Sequence, residues 1–519
     1  MLRPRFWPLL CLAAALACGT ARGADTNGGQ DLLDKATDTK LAAESVADLN
    51  EVVKLCEEAI KAGLDEGNSK FANGLLASTL TQRAQLMCIE LFERPVPPAR
   101  ARRMVQLALA DLEKTLKLDS EQAEAQFLSG RLYSSVGEPK KAMTALDEAV
   151  RLSDDDPPGK AKALVVRASL QEDEARRLAD CDEAIKLEPR DPGALRFRGM
   201  LHLNANNLDK AEADLSAAVA LEPKDPDTYE ALGVAQALEK KYDEAMESFN
   251  KTIELEPDSP AALVHRARIR AIKGDAPAAL RDVDQALKLQ PGAVQGLQLR
   301  AGLLAGIGKY EPALADLNIL RRAAPADPEL LVQIAALEQA AKQPDKAVAT
   351  YGQLLLAEPQ STAAHRGRAD AYLSLGKQAE AIADYEAALK IEPNNSGVLN
   401  NLAWVLATSP TRHLRDGKRA IELAKQACEL TEYKQAHILS TLAAGYAETG
   451  DFDTAITWSK KAVELGAEQL KAQLNKELQS YQAQTPWREA IPPSDEGQTA
   501  QPEKTAPASD DTARTKRGS

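Results

Sequence analysis

At 519 residues, with aromatic residues only 4% of the chain and Ala and Leu dominant, the sequence is too long for one ordinary globular core. It also lacks the β-branched and aromatic runs that a sheet-rich core wants, and good helix formers take their place. The net charge of −13, with Lys and Arg mixed among Asp and Glu, favours solubility and argues against nucleic acid as a partner through a basic face.

In chain order, Arg3 and Arg5 precede an uncharged apolar run from Leu9 to Cys18, and Ala21 and Gly23 set small residues before a cut at Ala24. Residues 1–23 therefore read as a secretory signal peptide, because the run is too short to span as a mature helix. The expected location is exported, periplasmic or secreted. Cys18 follows Ala17 but lacks leucine three residues before it, so a lipid anchor there is the lesser alternative. Residues 24–44 are polar, contain Asn27-Gly28-Gly29, and read as a linker. Residues 45–119 carry three apolar-striped helices of degenerate spacing: Val46 to Leu64, Lys70 to Phe92, and Ala99 to Leu118. Pro95, Pro97 and Pro98 separate the last two, since proline cannot continue a helix.

A regular array follows over residues 120–466. Pro189, Pro223, Pro257, Pro291, Pro325, Pro359 and Pro393 stand 34 residues apart, and a fixed period of that size marks a solenoid. With the ladder proline as position 32, position 8 is small (Gly130, Gly199, Gly233, Ala267, Ala301, Ala335, Ala369, Ala403). Position 20 is alanine (Ala142, Ala211, Ala245, Ala279, Ala313, Ala347, Ala381), and position 24 is large (Leu146, Leu215, Phe249, Val283, Leu317, Tyr351, Tyr385). Two invariably small positions mean two helices crossing closely. Position 15, Gly137, Asn206, Gly274, Gly308 or Gly376, suits the left-handed residue that ends the first helix. The predicted fold is all-α, a solenoid with one antiparallel helix pair per period. The rhythm slips twice, at Asp154 to Gly159 with a shortened turn near Glu172, and at an insertion from Thr408 to Gly417. Residues 467–490 hold an amphipathic capping helix, Ala467 to Gln482, on which Trp487 folds back. Residues 491–519 are almost devoid of apolar side chains and read as a disordered tail.

Within this one chain, arginine at position 7 occurs with aspartate at position 23: Arg167 with Asp180, Arg198 with Asp214, Arg266 with Asp282, Arg300 with Asp316, Arg368 with Asp384. Without the arginine there is no aspartate, as at Ser129 and Ala145, Leu232 and Ser248, or Ile334 and Thr350. The two positions must face each other across the helix pair, as a bridge or an apolar contact.

Cys56, Cys88, Cys181 and Cys428 are far apart and unpaired in spacing, as small apolar packing residues would be. The five histidines sit in different repeats at no metal spacing. Gly302 to Lys309 only hints at a phosphate loop, since its glycine spacing is wrong and Tyr310 follows where Ser or Thr is needed. No catalytic residue, metal ligand or cofactor site is predicted, and no apolar run after residue 23 is long enough to cross a membrane.

Small 8, alanine 20, aromatic or aliphatic 24 and proline 32 resemble the tetratricopeptide repeat. Tyr229-Glu230-Ala231-Leu232-Gly233 followed by Tyr242 to Phe249 lies nearest that pattern. The resemblance implies a right-handed superhelical solenoid of antiparallel helix pairs, a non-catalytic scaffold whose first helices line a concave groove for an extended or helical segment of a protein or peptide. Carried onto positions 5 and 9, it names Arg196, Met200, Glu230, Val234, Val264, Arg268, Gln298, Arg366, Asp370, Asn400 and Trp404 as binding candidates, with Gly302, Val332 and Ala336 in the same row. Trp404 stands out among them as a candidate anchor, since tryptophan is enriched where partners dock; the alternative is a tryptophan wedged against the insertion loop. The Lys/Asn/Arg clamp by which some such domains hold a terminal carboxylate is not recognisable. The alternative role is a lipid-anchored assembly subunit of an envelope polysaccharide or secretion machine.

Overall fold

The computed structural model describes residues 27–490, which form helices joined by short turns, with no strand among them. They divide into two compact units, the first ending at Pro257. The first holds α1 (Asn27–Ala42), α2 (Val46–Ala62), α3 (Glu66–Glu93), α4 (Pro98–Leu118), α5 (Ala123–Ser135), α6 (Pro139–Leu152), α7 (Pro157–Leu170), α8 (Glu174–Leu187), α9 (Pro192–Asn204), α10 (Leu208–Leu221), α11 (Pro226–Leu238) and α12 (Tyr242–Leu255). The second holds α13 (Pro260–Ile272), α14 (Ala276–Leu289), α15 (Val294–Gly306), α16 (Tyr310–Ala323), α17 (Pro328–Ala340), α18 (Pro344–Ala357), α19 (Thr362–Ser374), α20 (Gln378–Ile391), α21 (Ser396–Thr408), α22 (Gly417–Leu430), α23 (Ala436–Glu448), α24 (Phe452–Leu465) and α25 (Glu468–Gln482). Within each unit the helices pair in sequence and each pair packs on the next, an all-α solenoid arrangement. None of the described helices is long and apolar enough to cross a membrane. The leader read at 1–23, with Cys11 and Cys18, and the tail read at 491–519 lie outside the described residues.

The ladder explains where helices begin. Each proline stops a second helix. The first helix then opens on a capping side chain, Asp191, Ser259, Asp327, Ser361 or Asn395, which accepts from backbone N–H groups of its first turn. Positions 8 and 20 are buried throughout, and the position-20 alanines are wholly covered. A Cβ on Gly130, Gly199 or Gly233 would come within 2.6–2.8 Å of Leu146, Leu215 or Phe249, so the small residue at 8 makes room for the large one at 24.

The turn residues take positive φ, as position 15 requires: 77° at Gly137, 57° at Asn206, 83° at Gly274, 75° at Gly308 and 72° at Gly376. Two repeats put lysine there instead, Lys240 at 63° and Lys342 at 56°. The left-handed region is costly for a side chain with a Cβ. Lys342→Gly is therefore expected to stabilise the second unit by about 0.5–1 kcal/mol, after the unfolded-state entropy of glycine is subtracted. A thermal melt of the variant checks this.

One stretch departs from the sequence reading. Residues 24–44, expected to be a linker, contain helix α1, which packs on α2 and buries Leu33 and Ala36. Asn27-Gly28-Gly29 carries a turn composition, yet a Cβ on Gly29 would lie 2.3 Å from the Gly63 carbonyl oxygen. The glycine permits a close backbone crossing inside a helix. With α1 present, the degenerate region is two helix pairs.

The Arg–Asp rule holds in atomic detail. In all five predicted pairs the arginine Nε and Nη2 donate to the two carboxylate oxygens. Arg83 and Asp111 form a sixth such pair between α3 and α4. The donor–acceptor distances across the six run from 2.5 to 2.9 Å. The remaining Nη1 reaches back to the preceding second helix, from Arg167 to Asp147, Arg198 to Asp182 and Arg300 to Asp284. One guanidinium thus ties its own pair and the neighbouring repeat. Where position 7 is apolar, position 11 supplies the polar contact instead, as Gln236 with Ser248 and Glu338 with Thr350.

Both slips in rhythm are visible. In the shortened unit α7 ends three residues after Arg167, whereas α9 continues six beyond Arg198. The insertion folds as a 3-10 turn at Arg412–Leu414, and Arg415 holds it by donating to Glu448 and to the Ser409 carbonyl. Cys56, Cys88, Cys181 and Cys428 are buried and free, and burial pushes each thiol up, to about 11 for three of them and about 12 for Cys181.

Candidate functional site

The candidate groove positions meet different fates. In the first unit Met200 is exposed, Glu230 and Val234 are half-buried, and Arg196 is engaged by Asp225 at 2.9 Å. In the second unit Arg268, Gln298, Val332, Ala336 and Arg366 are exposed. Val264 is a correction: it is 4% exposed, so this apolar side chain belongs to the packing and not to an open groove.

Three candidates converge. Asp370 of α19, Asn400 and Trp404 of α21 line one cavity of about 360 Å³, closed by Ser440 and His437 of α23 and by Leu470, Gln473, Leu474 and Glu477 of α25. The convergence follows from the repeat: Asp370 and Trp404 are position 9 of successive first helices, and Asn400 and Ser440 are position 5. The C-terminal helix lies over this end of the row and turns an open face into a pocket. Ser440 was legible by continuing the same positions into the last repeat. Tyr385 carried only a core reading, and nothing local to Gln473 and Glu477 reveals which face α25 covers.

The polar groups form two small networks. Tyr385 Oη and Asn401 Nδ2 both donate to Asp370 Oδ1, the latter at 3.2 Å, and among the described residues none donates to Oδ2. Asn400 Nδ2 donates to Asn401 at 3.2 Å, while Asn400 Oδ1, on a side chain only 8% exposed, has no partner. Across the cavity Glu477 accepts from Ser440 and from Gln473. At the rim Trp404 Nε1 donates to Glu489 at 3.2 Å, and the Glu489 amide donates to the Thr408 carbonyl. Arg488 bonds Glu448, which also holds Arg415 of the insertion. The segment after α25 is thereby strapped along the end of α21, and Trp487 packs on the same core cluster.

Burial pushes both carboxyls up. It outweighs the Tyr385, Arg366 and Asn401 contacts at Asp370 and the Ser440 and Gln473 contacts at Glu477. Burial also lowers His437. An acid raised on folding costs nothing below its unfolded value and costs more as pH climbs through its folded one. The share of stability that rests on these two carboxyls should therefore fall as pH rises from about 4.3, the ordinary glutamate value. Glu477→Gln removes one share of that loss. Melts between about pH 4.3 and pH 8 should show the variant gaining on the wild type as pH rises; a constant difference would contradict the cause assigned.

A second cavity of about 360 Å³ in the first unit is lined by Phe127, Leu128, Val165 and Glu124. Burial pushes the Glu124 carboxyl up, outweighing the nearby Lys162 and Arg131 charges. Among the described residues no three His, Cys, Asp or Glu side chains are grouped to hold a metal.

A family profile described as the tetratricopeptide repeat matches residues 99–157, 171–226, 198–262 and 333–396. No curated protein matches the chain. Among solved structures, one similar chain is YrrB, described as a tetratricopeptide-repeat protein with an unusual peptide-binding site: 22% identical, covering 36% of this chain and 95% of its own, TM-score 0.32. The C-terminal part of a repeat-containing protein from Cytophaga hutchinsonii is 18% identical, covering 47% and 98%, TM-score 0.42. Yeast Tom70 is 16% identical, covering 88% and 96%, TM-score 0.34.

Proposed function

This chain belongs to the tetratricopeptide-repeat family, and from that premise we propose that it is a non-catalytic scaffold holding a segment of a protein partner along its first helices. Protein–protein interaction is the role that such repeats support. The observation that carries the reading is the exposure of position 5 and 9 side chains along successive first helices of the second unit. Arg268, Gln298, Val332 and Arg366 are open to solvent, while the position-8 and position-20 faces beside them are fully packed. Mixed apolar and polar side chains on one exposed face suit a peptide better than a small substrate.

The partner is proposed to reside in the cell envelope or outside the cell, on the strength of Arg3, Arg5 and the apolar run from Leu9 to Cys18. The mass of the mature N-terminus tests this: a chain beginning at Ala24 supports export without an anchor, and a diacylated Cys18 supports the assembly-subunit alternative. The groove is tested by photo-crosslinking residues placed at Gln298 and Arg366, with Leu356 on the second helix α18, 85% exposed, as the outside control. Adducts in an envelope extract should form from the first two sites. Equal capture from Leu356, or none from either groove site, would refute groove binding.

A further inference from the structure

The pocket under α25 is built for one kind of group. Beside the His437 ring and the Gln473 amide, its lining presents acceptors. Among the described residues none pairs with Asn400 Oδ1, on a residue 8% exposed, and none donates to Asp370 Oδ2. Glu477 supplies a second carboxyl on the facing wall, oriented by Ser440 and Gln473. The Trp404 indole completes the lining, its N–H turned outward to Glu489. Acceptors that lack donors, two carboxyls and an aromatic ring are what a cation with several N–H groups requires. An anion is opposed by both carboxyls, and a purely apolar group leaves the Asn400 oxygen stranded. Arg366, whose charge acts on Asp370, is itself exposed.

We propose that this pocket takes a basic side chain, lysine or arginine, carried by the peptide that the scaffold binds. The inference rests on the groove reading above and adds the chemistry at its C-terminal end: the acidic chain anchors its partner through one inserted cation. Of its lining, Asn400 supplies the bare acceptor, Asp370 the charge, and Trp404 the face on which the cation rests.

The test uses the full mature chain and short acetylated, amidated Gly/Ser peptides carrying one central arginine or lysine, with citrulline and norleucine versions as neutral matches. Calorimetry should show saturable binding of the basic probes, about tenfold or more tighter than the neutral ones, the discrimination expected for hydrogen bonds to a charged group. Asn400→Leu and Trp404→Ala should each weaken the basic probes by about tenfold and leave the neutral ones unchanged. Asn400→Asp should tighten them, a gain that a misfolded variant could not produce. Equal binding of basic and neutral probes, no saturation, or no response to Asn400 and Trp404 changes would overturn the proposal. Replacing Lys504, Arg514, Lys516 and Arg517 by glutamine should leave affinity unaltered; a rise would assign the pocket to the chain's own C-terminus and overturn a partner's claim on it. Groove crosslinks without basic-probe binding would sink this inference alone. Basic-probe binding without groove crosslinks would sink the scaffold reading instead.

Discussion

Arg300→Leu should destabilise the second unit by about 3–5 kcal/mol, because it strands a buried carboxylate. Asp316 is 3% exposed, and Arg300 is its hydrogen-bonding partner through both oxygens, at 2.8 and 2.6 Å. The hydrogen bonds to Asp316 in turn raise the Arg300 pKa above its ordinary value. The bond from Nη1 to Asp284 adds little, since Asp284 is half exposed and such pairs contribute under about 1 kcal/mol. Adding Asp316→Ala should recover most of the loss, as Ser129 and Ala145 show that these positions can do without charge. The same change at Arg266 should cost less than half as much. There Arg270 Nη1 also donates to Asp282, at 2.7 Å, and keeps it neutralised. Urea titration of the three variants measures all of this. Since repeats stabilise one another mainly through their neighbours, the loss should appear as early unfolding around α15 and α16. A double variant no more stable than Arg300→Leu would falsify the stranded-charge account.

That contrast also shows where the sequence is legible. Arg–Asp pairing could be read by comparing repeats, because the 34-residue period puts equivalent residues in equivalent places. It could have been carried further: Arg83-Ala84 and Asp111-Leu112 show the same arginine-before-small and aspartate-before-large dipeptides as the regular pairs. The backup at Arg270 and the reach of Nη1 to Asp147, Asp182 and Asp284 could not. Both depend on side-chain direction and on the stacking of one pair upon the next, which a period does not encode. Helix α1 escaped for a related reason. Gly29 is in the sequence, but its meaning depends on Gly63 lying against it, and a contact between distant residues outweighs local turn chemistry. The pocket divides the same way. Positions 5 and 9 placed Asp370, Asn400 and Trp404 on one side, whereas the wall made by α25 rests on the Ser440–Glu477 bond across 37 residues.

How firmly that wall is held can be measured at Tyr481. The ring is wholly buried in the core cluster of α21 to α25, and its hydroxyl has no partner. Tyr481→Ala should cost about 3–5 kcal/mol, the range for a buried aromatic truncated to alanine. It should also detach α25, which the basic probes would register as lost binding. Tyr481→Phe should do the opposite, gaining about 1 kcal/mol by removing a hydroxyl that burial leaves unsatisfied. Wild type and the phenylalanine variant differ further with pH. Burial raises the Tyr481 hydroxyl above its ordinary value, so below about pH 10 both folded and unfolded chains keep the proton and the linkage is silent. Above it the unfolded chain ionises first, and wild-type stability declines. The phenylalanine variant lacks this term, so its advantage should widen on alkaline titration. A phenylalanine variant that melts below wild type would mean the hydroxyl finds a partner and that α25 sits differently on α23. The pocket it closes would then have other walls.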